Sequence, residues 1–312
     1  MTFKSLTPKQ KSSLSAQIGK LIAEEAPTVD YTLDELATER ESFSDDDLLE
    51  MAELGLYDGD FEKFYVIRQF LSDIGLPRVA DDEYISDIFT LARRLDAKTF
   101  EADPYMAILP HLPAKSGNFV LAPSFYRRGE IFGYDMPYQD EDGALISRLG
   151  FFNRTVCFPT LYEGERPWMS VCPSEINSMA KDIADAHGNV LVLGLGLGYY
   201  AYRVAQDPAV SSVTVVELSA DVVKLFEDYI APHLDFHGKL KVVSCDAYRY
   251  LDSLLGKPYL FDYCFADIWE GAVDGADHYK RLLPYEKALP LTEFRYWIED
   301  MILAYTEEEN AE

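Results

Sequence analysis

Apolar positions over the first 110 residues recur at the three- and four-residue spacing of an α-helix. This pattern predicts helices that include residues 61–74 and 83–95. Thr32, followed three positions later by Glu35, predicts a capping box where another helix begins. We therefore expect a helical domain over residues 1–110. The region contains no catalytic constellation, so its simplest interpretation is a helical cap or a homodimerisation surface.

A different pattern begins near residue 111. Short aromatic runs, such as residues 118–122 and 154–158, are separated by Gly, Pro and Asp. Such runs are typical of antiparallel hairpins, and they predict a small β domain over residues 111–175. A helix is then expected from Pro173 to about Ala186.

From Asn189 onward, short apolar runs alternate with helical stretches. The runs predict four strands, which cover residues 190–193, 212–217, 240–243 and 260–266. This alternation is typical of a parallel sheet with helices on both faces, so we expect a Rossmann-like α/β domain over residues 176–312. Residues 291–305 predict an amphipathic helix, which leaves open a sheet truncated after the fourth strand.

The composition is that of a globular chain with an acidic surface. Hydrophobic residues make up 48%, and 54 acidic against 28 basic side chains give a formal charge of −26. Such a surface repels phosphate backbones and anionic lipid, so nucleic acids and membranes are poor candidate partners. It would attract a cationic substrate such as an amine, although solubility alone also explains the acidity.

Metal sites and membrane segments are not predicted. The four cysteines form no C-x-x-C pair, and there are only five histidines. No stretch approaches the roughly 20 apolar residues that span a bilayer, and the N-terminus has no apolar signal core. These features fit a reducing, cytoplasmic location.

A glycine-rich turn follows the first strand of the α/β region. Gly194, Gly196 and Gly198 lie between that strand and a predicted helix. Glycines permit a sharp turn and a close ligand, and the helix N-terminus offers free N–H groups. We therefore expect Gly194, Leu195, Gly196 and Gly198 to bind a nucleotide cofactor.

The other predicted strands end in carboxylates. Glu217, followed by Leu218, ends the second strand, and a carboxylate there can accept hydrogen bonds from ribose hydroxyls. Asp246 and Ala247 follow the third strand, and Asp267 ends the fourth. Ligands of parallel α/β sheets bind at the carboxyl ends of the strands, so all five residues are expected at the cofactor site.

The spacing alone does not decide between two nucleotides. Residues 196–201 also satisfy the dinucleotide fingerprint, and Glu217 suits NAD. Asp246 with Ala247 could instead bind an adenine amino group. Asp267 could orient an amine or take its proton, which hydride transfer does not require. These features favour S-adenosylmethionine and leave NAD as the weaker alternative.

Residues 168–284 resemble the class I S-adenosylmethionine-dependent methyltransferases, especially their spermidine-synthase-like branch. The similar motifs are residues 190–198, 215–217, 244–247 and 262–267. The resemblance implies that the glycines shape the pocket for the amino-acid part of the cofactor, Glu217 binds the ribose and Asp246 the adenine. It also implies two catalytic residues: Asp267 as base or orienting group, and Glu270 as the anchor of a cationic substrate.

The sequence departs from spermidine synthases at two places. Leu197 stands where they carry an aspartate in the glycine loop, and their Tyr-His-Glu segment is represented only by residues 172–175. Both departures argue against aminopropyl transfer. Glu175, Trp269 and His278 are weaker candidates for the site, because helix-start acidity, core packing and an ordinary surface position explain them as well.

Three hypotheses follow from these observations. The leading one is a methyltransferase that uses S-adenosylmethionine and a small acceptor, of which a cationic amine is one class. The second is a spermidine-synthase-like aminopropyltransferase acting on a polyamine. The third is a catalytically degenerate Rossmann domain that serves as a binding or interaction module.

Overall fold

The computed structural model describes residues 7–73, 92–141, 143–257 and 259–311. These residues form two compact units. The first unit lies within residues 1–102 and 125–157, and the second within residues 103–124 and 158–312. The units alternate along the chain, whereas the expected domains (1–110, 111–175 and 176–312) follow one another. Strand pairing joins segments that are distant in sequence, which a local pattern does not reveal.

The described chain contains eleven α-helices and twelve strands. The helices are α1 (Pro8–Glu25), α2 (Leu33–Glu41), α3 (Asp45–Glu53), α4 (Phe61–Asp73), α5 (Ala97–Glu101), α6 (Pro173–Asp185), α7 (Tyr199–Ala205), α8 (Ala220–Leu225), α9 (Ala247–Leu254), α10 (Ala272–Ala288) and α11 (Glu299–Ala311). The strands are β1 (Arg93–Leu95), β2 (Ala114–Ser116), β3 (Phe119–Tyr126), β4 (Phe132–Gln139), β5 (Leu145–Phe152), β6 (Val156–Glu163), β7 (Arg166–Ser170), β8 (Gly188–Leu193), β9 (Val210–Glu217), β10 (Leu240–Ser244), β11 (Tyr263–Ala266) and β12 (Glu293–Tyr296).

The first unit packs helices α1 to α4 against a three-stranded sheet of order β1-β5-β4. One face of α4 is buried in this core through Phe64, Ile67 and Phe70. The predicted capping box is confirmed, because Thr32 Oγ1 accepts from Glu35 N and the Glu35 carboxylate accepts from Thr32 N.

The predicted helix over residues 83–95 is wrong at its end. Arg93–Leu95 is strand β1, which pairs in parallel with β5. The part of the prediction that covers residues 83–91 lies outside the described residues.

The second unit contains the parallel sheet. Its strand order is β10-β9-β8-β11-β12, and all four neighbouring pairs are parallel. Strand β11 is buried along its whole length, as expected for a strand covered on both faces. Relative to the first strand of this domain the order is 3-2-1-4-5, which is the Rossmann arrangement. A second sheet of order β2-β3-β6-β7 supplies antiparallel hairpins.

The sheet is not truncated after the fourth strand. Glu293–Tyr296 forms a fifth strand paired with β11, and a helix begins only at Glu299. The expectation of a helix over residues 291–305 is confirmed for the part that lies in α11 and wrong over residues 293–296, because β12 is short and its burial alternates with period two, with Phe294 and Tyr296 buried. Ile298, with φ +51°, then turns the chain into α11. Among the described residues no further strand joins this sheet.

Across the described part of the chain, no helix combines the length and the apolar character that a bilayer crossing requires.

Candidate nucleotide-binding site at the carboxyl edge of the parallel sheet

A cavity of about 400 Å³ lies at the carboxyl ends of β8, β9, β10 and β11, within the second unit. Most of the site residues expected from the sequence line it: Gly194, Gly196, Glu217, Leu218, Asp246, Ala247, Asp267 and Glu270. The other two, Leu195 and Gly198, belong to the glycine loop but do not line the cavity. Parallel strand ends thus bring together side chains that are far apart in sequence.

The first glycine of the loop is required by its backbone conformation and by a close contact within the protein. Gly194 has φ +96°, and a Cβ at this position would overlap the carbonyl oxygen of Asp267. The Gly194 N–H donates to Val216 O at 2.9 Å, and Asp267 N donates to Leu193 O at 2.9 Å. The glycine therefore lets the ends of β8, β9 and β11 meet closely.

The other two loop glycines also make room for protein atoms. A Cβ at Gly196 would overlap the Met169 sulfur, and one at Gly198 would overlap the Phe226 ring. Met169 Sδ accepts a hydrogen bond from Leu197 N at 3.2 Å, so a side chain from β7 covers the loop. The glycine spacing therefore reflects packing of the loop as well as space for a ligand.

Glu217 fastens the loop to the second strand of the sheet. Its Oε2 accepts from Leu195 N at 2.9 Å, and its Oε1 accepts from Ser219 N at 2.7 Å. Leu195 thus contributes through its backbone, while its side chain is buried. Each carboxylate oxygen keeps a further lone pair, so Glu217 can still accept from two ribose hydroxyls.

Asp246 caps the helix that follows the third strand. Its Oδ1 accepts from Arg249 N at 2.9 Å, at the N-terminus of α9. Asp246, Ala247 and Tyr248 all line the cavity. The Asp246 Oδ2 has no hydrogen bond within the described chain and could accept from an exocyclic amino group.

Asp267 and Glu175 face the cavity as a pair. Glu175 lies in the first turn of α6, and among the described residues neither carboxyl group has a hydrogen-bond or ion-pair partner. Burial raises the pKa of Glu175 to about 7. Burial also raises the pKa of Asp267 well above its usual range, and the charge of Glu175 raises it further. Two such groups in one cavity are typical of acid–base sites.

Glu270 is already paired within the chain. The Arg166 guanidinium, at the start of β7, forms an ion pair with it at the rim of the cavity. A cationic substrate would therefore have to compete with Arg166 for Glu270, the expected cation anchor. Glu163, at the end of β6, is the remaining carboxylate of the described lining.

Several lining residues were missed by the sequence reasoning. Phe119, Glu163, Trp168 and Met169 come from the antiparallel sheet, and Trp297 follows the unexpected strand β12. No local pattern marks these residues, because they reach the cavity through tertiary packing. The Trp297 indole N–H donates to Ser178 Oγ at 2.8 Å, which connects β12 to the helix that carries Glu175.

The two weaker aromatic candidates both line the cavity. His278 Nδ1 lies 2.8 Å from the Tyr248 hydroxyl, and the Trp269 ring is buried. A Cβ at Gly275 would lie 3.0 Å from Trp269 Cδ1, so the indole edge packs on α10. Packing thus accounts for Trp269 at least in part.

The lining carries one sign of charge. It contains six carboxylates (Glu163, Glu175, Glu217, Asp246, Asp267 and Glu270) and, among the described residues, no lysine or arginine. Its aromatic members are Phe119, Trp168, Tyr248, Trp269 and Trp297. Carboxylates and aromatic faces attract cations, whereas the described lining offers no cationic side chain to the pyrophosphate of a dinucleotide.

No group of His, Cys, Asp and Glu side chains in the described parts of the chain has the arrangement of a metal site.

Comparisons with known proteins do not identify a family for this chain. No protein-family model matches the chain, and no curated protein matches it. Among solved structures, one that is described as "a putative O-methyltransferase from Klebsiella pneumoniae" matches with 22% identity and a TM-score of 0.27. The match covers 35% of this chain and 47% of that one, so this chain spans about half its length. A superposition this partial does not bear on function, and the fold and cavity define a Rossmann-like α/β protein.

Proposed function

We propose that the protein is an S-adenosylmethionine-dependent methyltransferase that acts on a small amine. The observation that carries this proposal is the cavity itself: at the carboxyl edge of a Rossmann-like sheet, its described lining holds six carboxylates and no cationic side chain. Its volume of about 400 Å³ falls within the usual range for cofactor pockets.

The lining fits S-adenosylmethionine better than NAD. Glu217 offers lone pairs to a ribose, and Asp246 offers an acceptor to an adenine amino group. The acidic lining stabilises a sulfonium cation and disfavours a pyrophosphate. When bound, the cofactor supplies an electrophilic methyl group; the chain supplies binding, orientation and exclusion of water.

Asp267 is the proposed orienting group for the acceptor. It directly follows β11 beside the glycine loop, and its carboxyl group lines the cavity with no partner among the described residues. A carboxyl group in this position can accept a hydrogen bond from an amine and direct the nitrogen lone pair. Glu270 remains a candidate for contacting a distal cation only if such a cation displaces Arg166.

Aminopropyl transfer is disfavoured as the alternative. Leu197 occupies the loop position of the spermidine-synthase aspartate, and its side chain is 1% exposed. The Leu197 carbonyl oxygen accepts from the Tyr105 hydroxyl, which fastens this part of the loop. A side chain buried in this way cannot contact an aminopropyl amine. The fifth strand also removes one reason for considering a degenerate binding module.

Product analysis tests the proposal. Purified protein is incubated with S-adenosylmethionine and a panel of primary amines and diamines, and products are identified by mass spectrometry. We expect a methylated amine together with the demethylated cofactor, and at least a tenfold loss of rate for Asp267→Asn. Glu227→Gln, which makes a similar change at an exposed position of the π-helical segment Phe226–Ile230, outside the cavity lining, is the control. Unchanged turnover in Asp267→Asn would show that Asp267 does not orient the acceptor. An aminopropylated product formed from decarboxylated S-adenosylmethionine would show that the protein is an aminopropyltransferase instead.

A further inference from the structure

Glu163 and Glu175 are the acidic side chains of the described lining that have no assigned task, and of the two it is Glu175 whose charge acts on Asp267. Glu217 binds backbone amides, Asp246 caps α9, and Glu270 pairs with Arg166. Glu175 has none of these partners among the described residues, yet it comes from the first turn of α6 into the same cavity as Asp267.

The position of Glu175 is fixed by its helix. Cys172 and Pro173 begin α6, and Met179, one turn after Glu175, is buried. Ser178 Oγ accepts from the Trp297 indole and donates to the Glu175 carbonyl oxygen at 2.8 Å. The backbone that carries Glu175 is therefore fastened to the residue that follows β12, and its side chain lines the same cavity as Asp267.

We infer that Glu175 is a second catalytic carboxylate, which forms with Asp267 a pair that takes up the proton lost by the amine acceptor. The inference rests on the proposed function. It assigns the chemistry to two groups on separate elements, α6 and β11, rather than to Asp267 alone.

The proton balance requires one base, which the pair can supply. An amine that enters as an ammonium ion must lose one proton to an ionised carboxylate before its nitrogen has a free lone pair. That lone pair then forms the N–C bond while the S–C bond breaks, and the sulfur keeps the bonding electrons as a neutral thioether. The methylated product leaves as an ammonium ion, and the proton on the pair passes to water.

The charged and titratable groups near Glu175 and Asp267 determine the pH range in which the pair ionises. The other titratable groups that line the cavity are Glu163, Glu217, Asp246, Glu270, Tyr248 and His278. Behind α6, Arg295 lies 4.0 Å from Asp182. No lysine or arginine lines the cavity among the described residues, so no cation holds both carboxyl groups ionised. Like charges in one cavity then leave the pair with a shared proton near neutral pH, and its two ionisation steps belong to the pair.

Titration of the carboxyl groups tests the pair without any ligand. The ¹³C resonances of the Glu175 and Asp267 carboxyl groups are followed by NMR in the full-length protein from pH 4 to pH 9. We expect two coupled steps, both above the usual range. Glu175→Gln should leave a single Asp267 step at lower pH, because the neighbouring negative charge is gone. Independent titration near the ordinary pKa values would overturn the inference.

Kinetics tests the catalytic role. We expect Glu175→Gln to lower kcat about 100-fold with a small change in the KM for S-adenosylmethionine, and to move the acid limb of the kcat profile. Glu175→Asp, which restores a carboxyl group, should recover part of kcat. A purely structural role would lower stability in all variants and leave the pH profile of the residual activity unchanged, which would overturn the inference.

The failures of the two proposals can be told apart. If a methylated amine forms but the profile of Glu175→Gln matches that of the wild type, the second carboxylate is excluded and the methyltransferase stands. If no amine in the panel is methylated, the proposed function fails and the proton-accepting role fails with it, whatever the NMR titration gives.

Discussion

Single side chains in the cavity are held in unusual protonation states. Burial raises the pKa of Glu175 to about 7, while the carboxyl group of an unfolded chain titrates near 4.5. Between these two pH values the folded state binds more protons than the unfolded state. The free energy of unfolding must therefore fall as the pH rises from about 4.5 to about 7, and Asp267 contributes in the same direction.

Glu175→Gln should remove this loss of stability. A tenfold change in proton affinity corresponds to about 1.4 kcal/mol, so the wild type should lose about 3 kcal/mol over that range through Glu175. We expect the variant to be more stable than the wild type at pH 8 and to show a flatter pH dependence. Urea unfolding at several pH values measures this, with Glu227→Gln as the control. If the free energy of unfolding depended on pH in the same way for the wild type and Glu175→Gln, the result would show that the pKa of Glu175 is not raised by folding.

Backbone contacts at the first loop glycine give a second prediction at this scale. Gly194→Ala places a Cβ on the Asp267 carbonyl oxygen and forces a non-glycine residue to φ +96°. Gly238 has φ +69° and nothing within 4 Å of its Cβ position, so Gly238→Ala carries the backbone strain without the overlap. We expect a loss of about 1 kcal/mol for Gly238→Ala and clearly more for Gly194→Ala in thermal unfolding. Equal losses of stability in the two variants would mean that the ends of β8 and β11 can move apart to accommodate a Cβ at residue 194.

Among the elements, the glycine loop is the one that the sequence predicted best. The alternation of β8, loop and α7 is a local pattern, and the carboxylates at the ends of β9 and β11 follow from strand ends alone. Strand β12 was missed because it has only four residues, and in the sequence their alternating apolar pattern cannot be separated from the helical pattern that follows. Met169 and Trp297 were missed because only tertiary packing brings them to the cavity.

The loop also decides between two transfer reactions. Leu197→Asp introduces the aspartate of spermidine synthases at a side chain that is 1% exposed. Burying a carboxylate without a partner costs several kcal/mol, so we expect a large drop in the free energy of unfolding and no aminopropyl transfer. Leu291→Asp is the matched control, because Leu291 is 70% exposed and should tolerate the change. A stable Leu197→Asp variant that transfers aminopropyl groups would contradict the assigned loop geometry.

At the scale of the whole molecule, charge is the dominant property. The chain has a formal charge of −26, and the cavity repeats that sign with six carboxylates. The composition predicted an attraction for cations, but only the fold places carboxylates around one cavity and keeps lysine and arginine out of its described lining.

This concentration of charge predicts a salt effect. Binding of a cationic ligand should weaken as sodium chloride is raised from 50 mM to 500 mM, because salt screens the attraction. Calorimetry with S-adenosylmethionine at several salt concentrations measures the change. An affinity that is independent of salt would mean that the carboxylates do not contribute to binding.

The most direct test of the central claim is calorimetric titration of the full-length protein with S-adenosylmethionine, its demethylated product and NAD. We expect micromolar binding of the first two, no binding of NAD, and at least a tenfold weaker binding in Glu217→Gln, with Glu227→Gln unchanged. Binding of NAD in place of S-adenosylmethionine, or binding that Glu217→Gln leaves intact, would contradict the assignment of this cavity as an S-adenosylmethionine site.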